Sequence, residues 1–414
     1  MMKEIAIIVP SLYGGGAEKV ALLLSRGFKM RGNRVFLITL EKGIAYDIPP
    51  DIHLINISKI DGKDSKLIKL LLLPLQFYTL SQIIKKYRIN FLLGIMERPN
   101  FLIALLNFFR IHKNIISVAS VHTLLFQRIK VKRFNKFWKS LYKYLYKFIA
   151  RNVNCVVAVS PFVKKELISE FEVNKDKVKF IGNPVDFEEI RIKTLEPISP
   201  EWRKAFVGKT ILNLGRLIPE KGQELLIKSF AKVRQLLPDT NLVLIGDGEE
   251  KKKLQELVKN LDLENNVFFL GFQKNPYKFM KHASIFVLTS RYEGFGLALV
   301  EAMTCGLPVI TVTPSASWIL GCESTDHKIN EELVYAEYGM YVPLNWDNIQ
   351  EEYNMEKEAE KLAKAILTLL QNRSLFERYK KASAERSRQF SLTTISVEYE
   401  NLFNHLPAKA GLDK

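Results

Sequence analysis

Cysteine is scarce in this chain. Cys155, Cys305 and Cys322 are the whole complement, too scattered for a metal-ligand spacing. An odd, dispersed set argues against a disulfide framework and for a reducing compartment. Long hydrophobic runs are also missing. A membrane-spanning helix needs about 20 predominantly apolar residues, and the most apolar stretch, residues 66–84, is broken by Lys69, Pro74 and Gln76. Lys3 and Glu4 lead straight into the short run IAIIVP, so no secretory leader is expected. There are no internal repeats and no low-complexity segment. Neither a G-x-G-x-x-G fingerprint nor a Walker loop occurs, which disfavours NAD and direct ATP chemistry. Zinc spacings, helix-turn-helix signals and base-stacking sheet motifs are absent too, which weighs against a nucleic-acid-binding module.

What is present is material for more than one core. The 414 residues are 47% hydrophobic and 25% charged, within the globular range and long enough for two or three domains. The net charge of +17 is unevenly placed. Residues 1–190 carry 31 Lys and Arg against 15 Asp and Glu, whereas residues 191–414 carry 30 against 29. The first half is therefore expected to face something anionic, with nucleic acid, anionic lipid and a phosphorylated substrate all compatible with the charge.

Both halves alternate short apolar runs with amphipathic stretches. Residues 5–10, 34–40, 91–95, 115–120 and 155–160 read as buried parallel strands, as do 210–215, 241–248, 267–272, 284–290 and 308–312. The expected fold is α/β, with two doubly wound Rossmann-like domains. The proline-bearing stretch from Asn183 to Pro200 suggests the boundary. We place one domain at 1–186, a second at 187–389 and a final helix at 390–407.

Three segments carry candidate chemistry. Gly14, Gly15 and Gly16 lie between the first strand and a helix expected near Ala17, where a glycine loop lets backbone N–H groups approach an anion. A plain tight turn is the alternative. Arg216 follows the first strand of the second half, and Lys221 lies five residues on. Two cations at a strand's carboxyl end can converge on a diphosphate, although an isolated one is more often a solvated loop charge. In LTSRYEGFGLALVEAMTCGLPVI, Glu293 sits in a turn with Gly294 and Gly296, and Glu301 lies one turn into the following helix. The amides at Gly296 and Leu297, with the positive end of the helix dipole, would make a phosphate seat.

This ordered set resembles glycosyltransferase family 4, with its GT-B fold. The matching pieces are GGGAEK, GRLIPEKG, IGDGEE, FLGFQKNPY, EGFGLALVE with its two glutamates, and the closing QFSLTTISVEYENLF. The resemblance implies a retaining transfer from a nucleotide-sugar, here expected to be a UDP-sugar, in a cleft between the two domains. By the same resemblance Arg216 and Lys221 hold the diphosphate, Glu301 the ribose hydroxyls, and Glu293 the transferred sugar near its 3-hydroxyl. Backbone around Gly271, Phe272 and Gln273 reads the base, Gly15 and Gly16 approach the phosphate, and His122 lies near the sugar's 6-hydroxyl. With no Asp-X-Asp in the chain, the expected enzyme uses neither metal nor cofactor, and its cations and helix end stabilise the leaving charge. The segment 321–339 replaces a compact turn common in relatives with a longer, acidic insertion. A GT-B epimerase or hydrolase, or a non-catalytic membrane- or nucleic-acid-binding protein, is the competing expectation.

Residues 128–151 hold nine Lys and Arg and no acid. Arg128, Lys132, Lys136, Lys139, Lys143, Lys147 and Arg151 recur at helical spacing, with Phe134, Trp138, Leu141, Leu145 and Phe148 on the other face. Such a stripe suits an anionic membrane surface or lipid-linked phosphates; a core helix with a basic solvent face is the alternative. The expected setting is cytoplasmic, peripheral on the inner face of the membrane, with a polyprenyl-diphosphate-linked glycan as acceptor.

Overall fold

The computed structural model describes the chain apart from residues 1, 59, 61–65, 113, 128–135, 323–332, 345–353 and 408–414. It divides into two compact units, Met1–Pro184 with Ser391–Lys414, and Val185–Phe390.

The first unit is built on seven strands: β1 (Glu4–Val9), β2 (Arg34–Thr39), β3 (His53–Asn56), β4 (Phe91–Ile95), β5 (Ile116–Val121), β6 (Cys155–Ala158) and β7 (Val178–Phe180). Their order is β3-β2-β1-β4-β5-β6-β7, and every pairing is parallel. Ile5 through Val9 are wholly buried, as a sheet covered on both faces requires. Each such aliphatic side chain contributes roughly 1.5–3 kcal/mol of transfer free energy. The chain order reverses between β1 and β4, where a doubly wound sheet opens a crevice at the strands' carboxyl ends.

The second unit repeats the plan with β8 (Lys209–Leu214), β9 (Thr240–Ile245), β10 (Val267–Gly271), β11 (Ile285–Leu288), β12 (Val309–Thr311), β13 (Val334–Tyr335) and β14 (Met340–Tyr341). The order is β10-β9-β8-β11-β12-β14-β13, parallel except for the β13–β14 pair. Its switch point lies between β8 and β11. Ten of these fourteen strands coincide with the apolar runs of the sequence; β3, β7, β13 and β14 do not. Three of them stand at sheet edges with partly exposed side chains, and β14 is only two residues long. None presents the continuous apolar run that marks a buried strand.

The final helix, Leu392–His405, belongs to the first unit. Ser391 caps it, accepting the amide of Thr394 at 3.1 Å. The helix packs on Gly16–Met30, where Phe28 meets Tyr399 edge-on at 6.2 Å and Phe403 at 5.9 Å. Glycine at position 27 makes this approach possible, because a Cβ there would stand 1.9 Å from Oγ of Ser396. Glu400 closes the contact, accepting from Nε of Arg31 at 2.6 Å and Nδ2 of Asn33 at 2.5 Å.

Candidate active site

In the second unit, the loops after β8 and β11 meet at the switch point. The β8 loop is held by buried Gln223, whose Nε2 donates to the carbonyl of Arg216 at 3.1 Å. Gly222, at φ 67°, lies so close to the β11 end that a Cβ would meet the carbonyl oxygen of Thr289 at 2.2 Å. Thr289 Oγ1 in turn donates to the carbonyl of Lys221 at 2.9 Å. These contacts aim Lys221 at Glu293, whose Oε1 its Nζ reaches at 2.5 Å. Ser290 Oγ donates to the same oxygen at 2.7 Å. Oε2 of Glu293 has no partner among the described residues, and an ammonium with three donors keeps two for another acceptor. The pair therefore offers a cation and a free carboxylate oxygen side by side.

The helix Leu297–Thr304 starts here, with Gly296 at φ 98° as its N-cap. First-turn amides have no acceptor within a helix, so Gly296 and Leu297 form the anion-compatible end anticipated from the sequence. Glu301 is buried one turn on, and its Oε1 accepts from the hydroxyl of Tyr277 at 3.1 Å. Burial first, then the neighbouring Glu301 charge, pushes the Tyr277 phenol well above its usual range, so Tyr277 stays a donor. Arg216 is exposed, with no ionic partner among the described residues. Phe272 is also exposed, at the end of β10, where Gln273 Nε2 ties the turn to the carbonyl of Leu270 at 2.7 Å.

Several residues that position these groups are not legible from the sequence. Ser315 brackets Glu293, its Oγ accepting from the Glu293 amide at 2.9 Å and donating to the Glu293 carbonyl at 2.8 Å. Thr313 Oγ1 donates to the Ser290 carbonyl at 2.6 Å. Tyr277, Thr289 and Gln223 act likewise on Glu301, Lys221 and Arg216. The available signal was the run of Ser and Thr at strand ends, which is common in loops and says nothing of its partner. Of the insertion at 321–339, residues 323–332 lie outside the described residues.

In the first unit the glycine loop differs from expectation. The helix begins at Gly16, and the amides of Gly14 and Gly15 are already bound to Oε2 of Glu18, at 2.7 and 3.0 Å. Ser11 Oγ donates to the other Glu18 oxygen at 2.8 Å. An internal carboxylate thus takes two amides that the sequence suggested for a ligand anion. His122 follows β5, with Nε2 2.9 Å from Oγ of Ser120, which lies 3.3 Å from the Tyr399 hydroxyl. Desolvation lowers the His122 pKa to about 3, so the ring is neutral near pH 7.

The basic stripe also differs. The helix is Lys136–Asn152, and Arg128 and Lys132 lie outside the described residues, as does the side chain of Lys136. Lys139 pairs with Glu170 at 3.4 Å; Lys143 and Lys147 both pair with Glu172, the latter at 2.6 Å. The aromatic side is split. Phe148 packs on Phe101 and Phe108, whereas Phe137, Trp138, Leu141 and Tyr144 are exposed. No helix among the described residues is long and apolar enough to cross a membrane.

Comparison with known proteins bears on this arrangement. The family model "Glycosyltransferase Family 4" matches residues 14–189, and "Glycosyl transferases group 1" matches residues 198–316. An uncharacterised glycosyltransferase of Methanocaldococcus jannaschii is 30% identical over 338 residues, spanning 78% of this chain and 82% of its own. The chain is a family 4 glycosyltransferase. This glycosyltransferase is also 26% identical, over 95% of its length and 98% of the other's, to a Campylobacter jejuni enzyme. That enzyme is the N-acetylgalactosamine-N,N'-diacetylbacillosaminyl-diphospho-undecaprenol 4-alpha-N-acetylgalactosaminyltransferase. The fold of the present chain is that of GT-B proteins. Anabaena HepE, solved with UDP, superposes at TM-score 0.72 and 20% identity, covering 98% and 100% of the two chains. Sucrose-phosphate synthase from Thermosynechococcus elongatus does so at 0.73 and 19%, covering 97% and 98%.

Proposed function

We propose that this glycosyltransferase moves a sugar from a UDP-sugar to a polyprenyl-diphosphate-linked glycan, with retention at the anomeric carbon and without a metal. The observation that carries the donor half is the Lys221–Glu293 pair beside the free amides of the helix Leu297–Thr304. Lys221, Arg216 and the helix end neutralise the leaving diphosphate, the task a divalent ion performs elsewhere. Oε2 of Glu293 accepts from a hydroxyl of the transferred sugar, and Glu301, oriented by Tyr277, takes the ribose. HepE was solved with UDP, which supports that nucleotide.

Retention is supported by the lack of a suitable base in the groups assigned here. Glu293 is committed to Lys221 and Ser290 through one oxygen and, in this reading, to the transferred sugar through the other, and His122, at a pKa of about 3, is too weak a base to draw a hydroxyl proton near pH 7. A donor phosphate oxygen then takes the acceptor proton, and the protein acts by positioning and charge stabilisation. The Campylobacter relative's diphospho-undecaprenol acceptor supports a lipid-linked one here. The basic half of the chain and exposed Phe137, Trp138, Leu141 and Tyr144 support peripheral contact with an anionic bilayer.

The test is a donor screen with UDP- and GDP-sugars, with and without polyprenyl-diphosphate-linked glycan, run with and without EDTA. Acceptor-dependent release of UDP, undiminished by EDTA, and an α-linked product from an α-linked donor are expected. Release without acceptor would instead support an epimerase or hydrolase. Co-sedimentation with anionic vesicles at low and high salt tests the bilayer contact, which should weaken as salt screens it.

A further inference from the structure

We infer that Arg98, held by Glu41 and assisted by Lys69, binds a phosphoryl group of the acceptor at the carboxyl edge of the first unit's sheet. The inference rests on the lipid-linked acceptor proposed above.

Glu41 lies two residues beyond β2, and Arg98 is the second residue of the helix Glu97–Phe108 that follows β4. Strand β1 runs between β2 and β4. The bond from Nη2 of Arg98 to Oε1 of Glu41, at 2.5 Å, therefore passes over the end of β1. This is the switch point of the sheet, where the connections leave in opposite directions and doubly wound folds take ligands. The Glu41 amide donates to the carbonyl of Pro10 at 2.8 Å, fixing the carboxylate to the end of β1.

The chemistry of the cluster points to an anion. Glu41 is buried, and Lys69 approaches its carboxylate at 3.2 Å from the helix Lys66–Leu71. One carboxylate thus gathers two cations at the same point. The guanidinium has five N–H donors in a planar fork. Glu41 engages one nitrogen, Nε is buried without an acceptor, and Nη1 has no partner among the described residues. A purely structural ion pair gains nothing from an unmet buried donor. A carboxylate that grips one corner of a guanidinium and leaves the rest is instead how such a group is oriented toward a ligand. The Arg98 and Lys69 side chains each keep 20% exposure, so the cluster is reachable from solvent. A tetrahedral phosphoryl group suits this fork and ammonium better than a neutral glycan hydroxyl.

The experiment compares wild type with Arg98→Gln, Arg98→Lys and Lys69→Gln. KM is measured for a polyprenyl-diphosphate-linked glycan, for the same glycan as a neutral alkyl glycoside, and for the donor. Inorganic pyrophosphate is titrated with UDP saturating. Loss of a charge-assisted bond should raise KM for the diphosphate-linked acceptor about tenfold or more in Arg98→Gln. Arg98→Lys should fall between it and wild type, and Lys69→Gln, which spares the Arg98–Glu41 bond, should give a smaller rise. KM for the neutral glycoside and the donor should stay put, while pyrophosphate affinity drops in parallel. Equal rises for both acceptors would overturn the phosphoryl contact. A rise confined to the donor, with UDP displacing the pyrophosphate, would give the site to the donor instead and overturn it as well. A lower Tm with all KM values and pyrophosphate affinity unchanged would reduce the cluster to a structural pair. If wild type uses neither acceptor, the lipid-linked reading fails separately. Pyrophosphate affinity then decides alone, and an unchanged value in Arg98→Gln would overturn the site.

Discussion

The two units are built on one plan, yet different forces hold their loops. In the second unit, backbone contacts clamp the site. Ser315 brackets Glu293, Thr289 holds Lys221 and Gln223 holds the Arg216 turn. In the first, charges do much of the work: Glu18 fills the glycine loop, Glu41 gathers Arg98 and Lys69, and Glu172 gathers Lys143 and Lys147. Neutral short bonds fix a geometry within narrow limits, whereas long charged side chains can re-aim. Under the proposed function, a site that meets one diphosphate in one pose favours the first kind of support, and a surface that receives a bulky or variable acceptor tolerates the second.

The sharpest way to break this comparison is at Lys221. Lys221→Ala should lower kcat by about two to three powers of ten, as when a preorganised charge-stabilising donor is lost. Glu293→Ala should have a similar effect, and the double variant should cost far less than the two combined, because the residues are bonded to each other. Additive losses in steady-state kinetics would show that they act separately.

A comparably large effect, on stability, is expected in the first unit. Glu166 is buried and accepts amides from Leu125, Phe126 and Gln127. Burial still lifts its carboxyl from 4.5 to about 7. Between those values the folded state holds a proton that the unfolded chain has released, so stability is lost as pH rises through that window and levels off above it. The loss is at most about 3 kcal/mol. Glu166→Gln should abolish that slope in denaturant melts at pH 5 and pH 8; parallel profiles for the two proteins would rule the group out.

Smaller effects should separate placement from binding. Ser315→Ala should cost about 1–2 kcal/mol of transition-state stabilisation, seen in kcat with donor KM little changed. Tyr277→Phe should weaken donor binding by about 1 kcal/mol, since it removes one bond to Glu301. Were both silent, the clamps of the second unit would be structural only. The smallest effect should come from Lys143→Gln, which breaks an exposed pair with Glu172 and should leave Tm unmoved.

Much of the second unit was legible because its signals are local. Gly296 adopts a positive φ at the start of a helix, in the turn where the sequence placed it. The ten buried strands were legible for the same reason. The edge strands β3, β7 and β13 were not, because side chains half in water leave no run to read.

Sequence alone determined the α/β plan, the order of the motifs and the charge asymmetry. Each of these depends on spacing or residue type within a few turns of chain. Tertiary structure decided the pairings. Lys221 meets Glu293 across 72 positions, Arg98 meets Glu41 across 57, and Glu400 meets Asn33 across 367. It also decided that Glu18 sits on the glycine amides, and that Lys139, Lys143 and Lys147 face acids. Periodicity shows which side of a helix carries charge, but only the packing of other elements sets what that side meets.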